Sequence, residues 1–160
     1  MFSFLFFLLF SLFLSIFSLP KPKDDIPFQW YSIRIEKNGE SIPFQVLLAK
    51  NDKERGEGLS IFSSLASHQG MLFVFPREGI HRFWMKGMRF PIDILWFDPE
   101  GKLCFIKNEA KPKEYPMVYT PECLSRYVLE IPAGLAKQSS FQIGDKIIFS
   151  DSLKERIEKK

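Results

Sequence analysis

The stretch that most constrains the fold is His81–Gly101, HRFWMKGMRFPIDILWFDPEG, where apolar, basic and acidic residues are densely combined. Side chains alternate along a strand, so Asp93 shares one face of Ile92–Phe97 with apolar residues, and apolar residues also occupy the other face. Both faces of this strand are therefore predicted to be mostly covered. An acidic residue in such a run is costly to bury without a partner. The nearest predicted partners of Asp93 are Arg82, Lys86 and Arg89.

Apolar runs on both sides of this stretch predict further strands. Trp30–Lys37 and Ser41–Ala49 flank Asn38-Gly39, a strong hairpin signal, and are expected to pair antiparallel. A first strand at His81–Lys86 should precede Ile92–Phe97, with a turn between them. Other strands are predicted at Gly70–Phe75, Leu103–Lys107, Arg126–Ile131 and Lys146–Phe149.

Helices are expected to be short, and the connections between elements polar. Asn51 and Glu54 match a capping box at the start of one helix, and Ser152 and Glu155 match another. Ala133–Ser140 is expected to form a third helix or turn, and 77–80 a loop. The proline-containing stretch Asn108–Thr120 is expected to be a long structureless connection and a flap.

The chain of 160 residues divides by composition into four parts. Residues 1–19 contain fifteen apolar residues and four serines, which predicts a membrane-directed segment. The sequence leaves open whether it is a cleaved signal peptide or a retained anchor. Residues 20–27 are a charged, proline-rich linker, 28–151 a single β-rich domain, and 152–160 a charged tail. We expect the domain to be exported, in the periplasm or anchored to the membrane.

Charge and motif content argue against several classes of function. The formal net charge of +3 comes from 22 basic and 19 acidic residues that are interspersed, so nucleic acid is not an expected partner. Two histidines and two cysteines match no metal-ligand spacing, and no cofactor motif is present. Neither histidine accompanies a nucleophile-elbow sequence.

Five motifs in a fixed order resemble the family called domain of unknown function 192. They are ER-x-x-GL at 54–59, GMLFVF at 70–75, FWMKGM-x-x-PIDILWFD at 83–98, RYVLEIPAG at 126–134 and IGDKI at 143–147. The resemblance implies a compact, mainly antiparallel β fold, sandwich or barrel-like, with two or three short helices; it implies no established activity. This chain departs from the family pattern at Ser60, Gly87 and Met88, where the family usually has Met, Asn and Thr.

The two cysteines of the chain are Cys104 and Cys123. In an exported domain they would close a loop, and a disulfide there would contribute about 3 kcal/mol. The alternative is two free thiols.

The residues leave two classes of function open. The favoured one is a non-catalytic module, possessing an aromatic and basic surface, that binds a small molecule, glycan or envelope protein. Its candidate residues are Trp84, Lys86, Met88, Arg89 and Arg55. The alternative is an enzyme in which Asp93 is an acid or base and Lys86 or Arg89 stabilises charge. An enzyme requires Asp93 to open onto a pocket, whereas a binding module requires only that Trp84 or Met88 is exposed.

Overall fold

The computed structural model describes residues 29–159. Nine strands follow in chain order: β1 Tyr31–Lys37, β2 Glu40–Ala49, β3 Gln69–Gly79, β4 Phe83–Trp84, β5 Ile92–Phe97, β6 Leu103–Ala110, β7 Val118–Tyr119, β8 Ser125–Pro132 and β9 Lys146–Phe149. The α-helices are α1 Asp52–Glu57, α2 Leu135–Gln138 and α3 Asp151–Glu158, and Gly58–Ile61 and Pro112–Glu114 are 3-10 helices. The predicted segments at residues 1–19 and 20–27 lie outside the described residues. Within 29–159, no helix is long and apolar enough to cross a membrane.

Seven strands form one curled sheet, in the order β6-β5-β8-β3-β2-β1-β9. All neighbours are antiparallel except β2 and β3, which are parallel. The two ends of the sheet meet, since the amide of Ile147 donates to the carbonyl of Gly101 at 2.8 Å and Lys102 bridges Lys146. The result is a half-barrel, which confirms the predicted mainly β, barrel-like fold.

The sheet carries a separate apolar core on each face. The inner core packs residues such as Ile35, Phe44 and Leu95 against Leu135 of α2 and Leu153 of α3. The outer core contains residues such as Met71, Phe73, Ile94 and Trp96, covered by Leu59 and Met85 from the connecting segments. All six residues of β5 are buried, as the alternation of apolar residues on both of its faces predicted.

Two local predictions are confirmed in detail. The hairpin between β1 and β2 has Lys37 opposite Glu40, and both turn residues have positive φ, 47° at Asn38 and 83° at Gly39. Asn and Gly tolerate this conformation, which suits the twist of a two-residue hairpin. The side chain of Asn51 accepts from the amide of Glu54, while the Glu54 carboxylate accepts from the Asn51 amide, which completes the capping box of α1.

The predicted end of β3 was wrong, because this strand continues through Pro76 to Gly79. Gly79 pairs with Ser125 of β8, and the register shifts between Val74 and Gly79. Such an irregularity leaves room for a proline, which has no amide hydrogen to donate. By contrast, the strand predicted at His81–Lys86 is reduced to the two residues of β4.

The segment Asn108–Thr120 is not the structureless connection that was predicted. Strand β6 extends to Ala110, which pairs with Ile92, and β7 pairs with β4. Tyr119 is buried and its hydroxyl donates to Glu114, which also forms an ion pair with Lys107 at 3.6 Å. Strand pairing and the burial of Tyr119 therefore give this polar segment a defined structure.

The last helix begins slightly earlier than its capping pattern predicted. Ser150 is the N-cap residue of α3, and Ser152 lies inside the helix. The hydroxyls of these two serines are 3.2 Å apart. The helix itself, and the burial of Leu153 against the inner core, agree with the predicted helical tail.

Candidate functional site

A cleft of about 610 Å³ opens on the outer face of the sheet, between the α1 region and the segment around β4. We call it the Glu130 cleft, because Glu130 of β8 is the acidic residue of the central sheet that lines it. Its lining includes Arg55, Leu59, Ser60, Phe73, Phe75, Arg82, Phe83, Trp84, Lys86, Gly87, Met88 and Glu130.

Strand pairing places Glu130 on the outer face of the sheet. Glu130 lies opposite Ile94 of β5 and Met71 of β3, both of which belong to the outer core, and directly opposite residues share a face. The neighbouring Gly70 is required by close packing, since a Cβ atom there would lie 2.5 Å from the carbonyl oxygen of Glu130. Glu130 is therefore held on a rigid, central part of the fold.

The carboxyl group of Glu130 is buried but incompletely paired. The residue is 4% exposed, and its Oε2 atom has no hydrogen-bond partner among the described residues. Burial raises the pKa of Glu130 to about 8, because an ionised carboxylate is poorly solvated in this environment. At neutral pH the group is therefore mainly an uncharged acid, able both to donate and to accept a hydrogen bond.

Arg55 forms part of the wall, and its guanidinium is already engaged. Its Nη1 donates to the carbonyls of Lys50 at 2.5 Å and Val74 at 2.9 Å, and its Nη2 pairs with Asp52 at 2.6 Å. The guanidinium also lies 5.2 Å from the centre of the Phe75 ring. These contacts tie α1 to β3, so Arg55 shapes the cleft with most of its donors in use.

Two other cations stand at the mouth of the cleft. Arg82 and Lys86 are exposed, and neither forms an ion pair with any residue in the described part of the chain. The ammonium of Lys86 lies 5.8 Å from the ring centre of Trp84, which is itself 54% exposed. Charge and aromatic surface are thus both accessible at this edge.

The wall behind them is aromatic and fixed by edge-to-face contacts. The ring of Phe83 packs against Phe73 at 4.9 Å and against Trp96 at 5.7 Å, nearly perpendicular to both. The Trp96 indole donates to the carbonyl of His81 at 2.8 Å, which anchors the start of the β4 segment. Such arrangements limit ring movement, so the apolar part of the cleft is preformed.

His81 lies beside the cleft, not in its lining. Its ring stacks on Phe75 with centres 3.5 Å apart, and its Nε2 lies 3.2 Å from the carbonyl of Arg77. Burial, more than any other cause, lowers the pKa of His81, and the charge of Arg55 lowers it further. The uncharged His81 ring therefore packs against Phe75, which lines the cleft.

The cleft brings together four of the predicted site residues: Arg55, Trp84, Lys86 and Met88. The fifth predicted binding residue, Arg89, is exposed and does not line the cleft. Where this chain departs from the family pattern, at Ser60, Gly87 and Met88, the residues also line it. A Cβ atom on Gly87 would lie 3.4 Å from that of Ser60, so two of these departures face each other.

Asp93 does not line the cleft, and its hydrogen-bond donors are not the predicted cations. Its Oδ1 accepts from the amide of Glu109 at 2.7 Å, and its Oδ2 accepts from the amide of Ala136 at 2.8 Å. The residue is fully buried and pairs with Ile131, which belongs to the inner core. Asp93 therefore joins β5 to β6 and to α2, and none of the predicted partners Arg82, Lys86 and Arg89 takes part.

Sequence reasoning missed Glu130, although the signal was present. In RYVLEI an acidic residue interrupts a buried strand, as Asp93 interrupts PIDILWF. Glu130, like Asp93, is an acidic residue in an apolar strand and is costly to bury without a partner. Only strand pairing shows that the two carboxyl groups face opposite sides of the sheet.

The two cysteines form a disulfide, the first of the two alternatives left open by the sequence. Cys104 and Cys123 have their sulfur atoms 2.08 Å and their Cα atoms 6.2 Å apart. The bond joins β6 to the segment before β8 and closes the loop that contains β7. Across residues 29–159, no cluster of three or more His, Cys, Asp or Glu side chains is arranged to hold a metal ion.

Taken together, these features define a β half-barrel domain with a preformed cleft on its outer face. The family model of DUF192, described as an uncharacterized ACR, matches residues 33–149. The chain therefore belongs to the DUF192 family, as the five motifs predicted.

Curated relatives and solved structures agree with this family and fold. The chain is 28% identical to a UPF0127 protein of Thermococcus kodakarensis over 70% of its length and 69% of the relative's. It is 31% identical to a UPF0127 protein of Thermococcus gammatolerans, over 64% of both chains.

Two crystal structures superpose on the chain with a TM-score of 0.74 each. One is a proposed transcription regulator from Sinorhizobium meliloti, 26% identical, covering 79% of this chain and 98% of that protein. The other is a protein of unknown function from Novosphingobium aromaticivorans, 23% identical, covering 82% and 94% respectively.

Proposed function

We propose that the protein is a non-catalytic binding module that takes a small molecule into the Glu130 cleft. The observation that carries this proposal is a buried carboxyl oxygen without a partner, on a residue that lines a cleft whose mouth holds an exposed tryptophan and two cations without ion pairs. A buried polar atom without a hydrogen bond costs about 1 to 3 kcal/mol. A ligand that bonds to Glu130 would recover part of this cost.

The size and composition of the cleft support a small-molecule ligand. Binding sites for small molecules typically span about 300 to 1,000 Å³ and combine apolar walls with a few polar groups. The cleft measures about 610 Å³, with Phe73 and Phe83 as walls and Glu130 as the buried polar group. Trp84 at the mouth gives the broad ring surface on which a planar or apolar ligand, or a sugar ring, can stack.

The alternative, acid or base catalysis by Asp93, has less support from the geometry. Both oxygens of Asp93 accept backbone hydrogen bonds, and Asp93 does not line the cleft. A general acid or base has to reach the proton it transfers. The binding role requires only that Trp84 or Met88 is accessible, and Trp84 is 54% exposed.

The binding proposal is tested by saturation-transfer NMR with a library of small organic fragments and the full-length protein. Fragments that receive saturation should lose it when Trp84 is replaced by Ala. The matched control is Trp30→Ala, since Trp30 is 36% exposed and does not line the cleft. If no fragment binds, or if all binding survives Trp84→Ala together with Lys86→Met, the Glu130 cleft is not a binding site.

We further propose that the domain acts outside the cytoplasm, exported or anchored through residues 1–19. The support is the uninterrupted apolar composition of that segment and the charged linker that follows it. Fractionation of cells carrying the full-length protein tests this proposal. Recovery of the whole protein in the cytosolic fraction would contradict it.

A further inference from the structure

We infer that the Glu130 cleft recognises a small organic anion with an apolar body. Its charged group would pair with Arg82 and Lys86 at the mouth, and its body would lie against Phe73 and Phe83. An oxygen of the ligand would accept a hydrogen bond from the carboxyl of Glu130. This inference rests on the proposed binding function and adds the chemical class of the ligand.

The sign of the ligand's charge follows from the charges that line the cleft. Arg55 is paired with Asp52 at 2.6 Å, and Glu57 lies 4.0 Å from Lys53, so these charges are compensated. Arg82 and Lys86 have no acidic partner among the residues 29–159. The uncompensated charge at the mouth is therefore positive, which attracts an anion and repels an amine.

The floor of the cleft favours an acceptor atom over a cation. Burial holds the pKa of Glu130 at about 8, so near neutral pH the carboxyl group carries its proton. A protonated ligand amine would meet an uncharged carboxyl group there, with no charge attraction, and would also have to pass the two cations at the mouth. A ligand oxygen can accept the proton in a hydrogen bond with no change in charge.

The apolar walls of the cleft indicate that the ligand has an apolar body. Phe83 is held edge-to-face against Phe73 and Trp96, while Leu59 and Met88 complete the apolar lining. An ion as small as acetate would leave the half-buried surfaces of Phe83 and Met88 exposed to water. A ligand with an aromatic or branched aliphatic body would cover them, which favours binding through the hydrophobic effect.

The test uses four probes of related shape on the full-length protein, with affinity measured by NMR titration. They are 3-phenylpropionate, its neutral amide, phenethylamine and acetate. We expect 3-phenylpropionate to bind about tenfold more tightly than each of the other three, because it alone combines a negative charge with an apolar body. Arg82→Gln combined with Lys86→Met should remove that preference over the amide, and Lys137→Met, a change on the opposite face, should leave it intact.

A pH series tests the role of Glu130. The charged residues that line the cleft with Glu130 are Arg55 and Glu57 from the α1 region and Arg82 and Lys86 from the β4 region, whereas its neighbours on β3 and β5, Met71 and Ile94, are uncharged. As Glu130 ionises, its negative charge repels the bound anion. The affinity for 3-phenylpropionate should fall by about tenfold between pH 7 and 9, and Glu130→Gln, which carries no charge at any pH, should make it independent of pH over this range.

The outcomes separate this inference from the binding function on which it rests. Tighter binding of phenethylamine than of 3-phenylpropionate, abolished by Trp84→Ala, would overturn the anion inference and leave the cleft a binding site. Equal binding of the acid and its amide would do the same. If none of the four probes binds but fragments still bind in a Trp84-dependent manner, the inferred class of ligand is wrong and the binding function stands. Failure of both experiments would remove the binding function as well.

Discussion

Asp93 and Glu130 carry carboxyl groups on the adjacent central strands β5 and β8, but they differ in hydrogen bonding and in the face of the sheet on which they lie. Asp93 faces the inner core, and each of its oxygens accepts one backbone hydrogen bond, from Glu109 and Ala136. Glu130 faces the outer core and a cleft, and its Oε2 has no partner in the described part of the chain. Both are almost fully buried, so burial alone does not distinguish them.

The difference shows which buried acid supports the fold and which is held at the expense of stability. Backbone donors from two separate segments make Asp93 a structural link between β5, β6 and α2. Glu130 makes no such link, and burial raises its pKa to about 8. Groups with a strongly shifted pKa in a cleft are concentrated at functional sites. An acidic residue in a buried strand therefore indicates a structural role on one face and a candidate site on the other.

The largest effect is expected for Asp93→Asn, which should lower the free energy of unfolding by about 3 kcal/mol. An amide has one oxygen, so one of the two backbone donors would lose its acceptor and face an NH₂ group. Urea denaturation of the purified variant measures the loss, with Glu122→Gln, an exposed acidic residue, as the control. An unchanged or increased stability would contradict the structural role and favour the alternative of a functional Asp93.

The corresponding change in the cleft, Glu130→Gln, should have the opposite sign and raise the free energy of unfolding by about 2 kcal/mol at pH 7. The wild-type residue takes up a proton on folding, whereas glutamine has no such cost. The buried amide offsets part of the gain, because it also lacks full hydrogen bonding. The same urea series measures it, and a loss comparable to that of Asp93→Asn would show that Glu130 is a second structural link.

The comparison also predicts how stability depends on pH. The folded-state pKa of Glu130 is raised from 4.5 to about 8, so the folded protein binds more protons in this interval and its stability falls as pH rises. The pKa of His81 is lowered from 6.5, so its contribution increases as pH rises through 6.5 and opposes the Glu130 effect there, while the lowered pKa of Glu114 acts at lower pH.

Between pH 6.5 and 8 the wild type should therefore lose about 1.5 kcal/mol of stability through Glu130. Urea denaturation across this range in wild type and Glu130→Gln measures the difference. The variant should lack this decrease. A decrease of equal size in both proteins would assign it to another group.

The smallest effect on stability is expected at the mouth of the cleft. Trp84→Ala should change the free energy of unfolding by less than about 0.5 kcal/mol, because the side chain is 54% exposed. Thermal denaturation followed by circular dichroism measures it. A loss above about 2 kcal/mol would mean that Trp84 packs as a core residue, and its use as a probe of binding would then have to be abandoned.

Much of the fold was predictable because its signals are local. Asn38-Gly39 determines the first hairpin, the Asn51 and Glu54 pair starts α1, and the apolar runs predict where the strands of the sheet lie. The pattern of β5 also predicts that Asp93 is buried. In each case the information lies within a few adjacent residues, where backbone preference and side-chain alternation act directly.

The pairing of strands and the partners of buried groups were not predictable in this way. The nearest cations in sequence to Asp93 are Lys86 and Arg89, yet its donors are amides 16 and 43 residues away. Likewise, the structure of Asn108–Thr120 depends on pairing with β4 and β5 and on burial of Tyr119. Contacts between distant segments are set by sheet topology, which the local pattern does not encode.

The candidate site, like the fold, was predictable from the sequence only in part. The sequence by itself determined the family, the aromatic and basic character of Trp84 and Lys86, and the presence of an acid within the β8 strand. Only the tertiary structure decided that Arg55, from α1, and Glu130, from β8, meet those residues in one cleft and that Asp93 does not. The physical reason is strand register: pairing with Ile94 turns Glu130 to the outer face, and pairing with Ile131 turns Asp93 to the inner one.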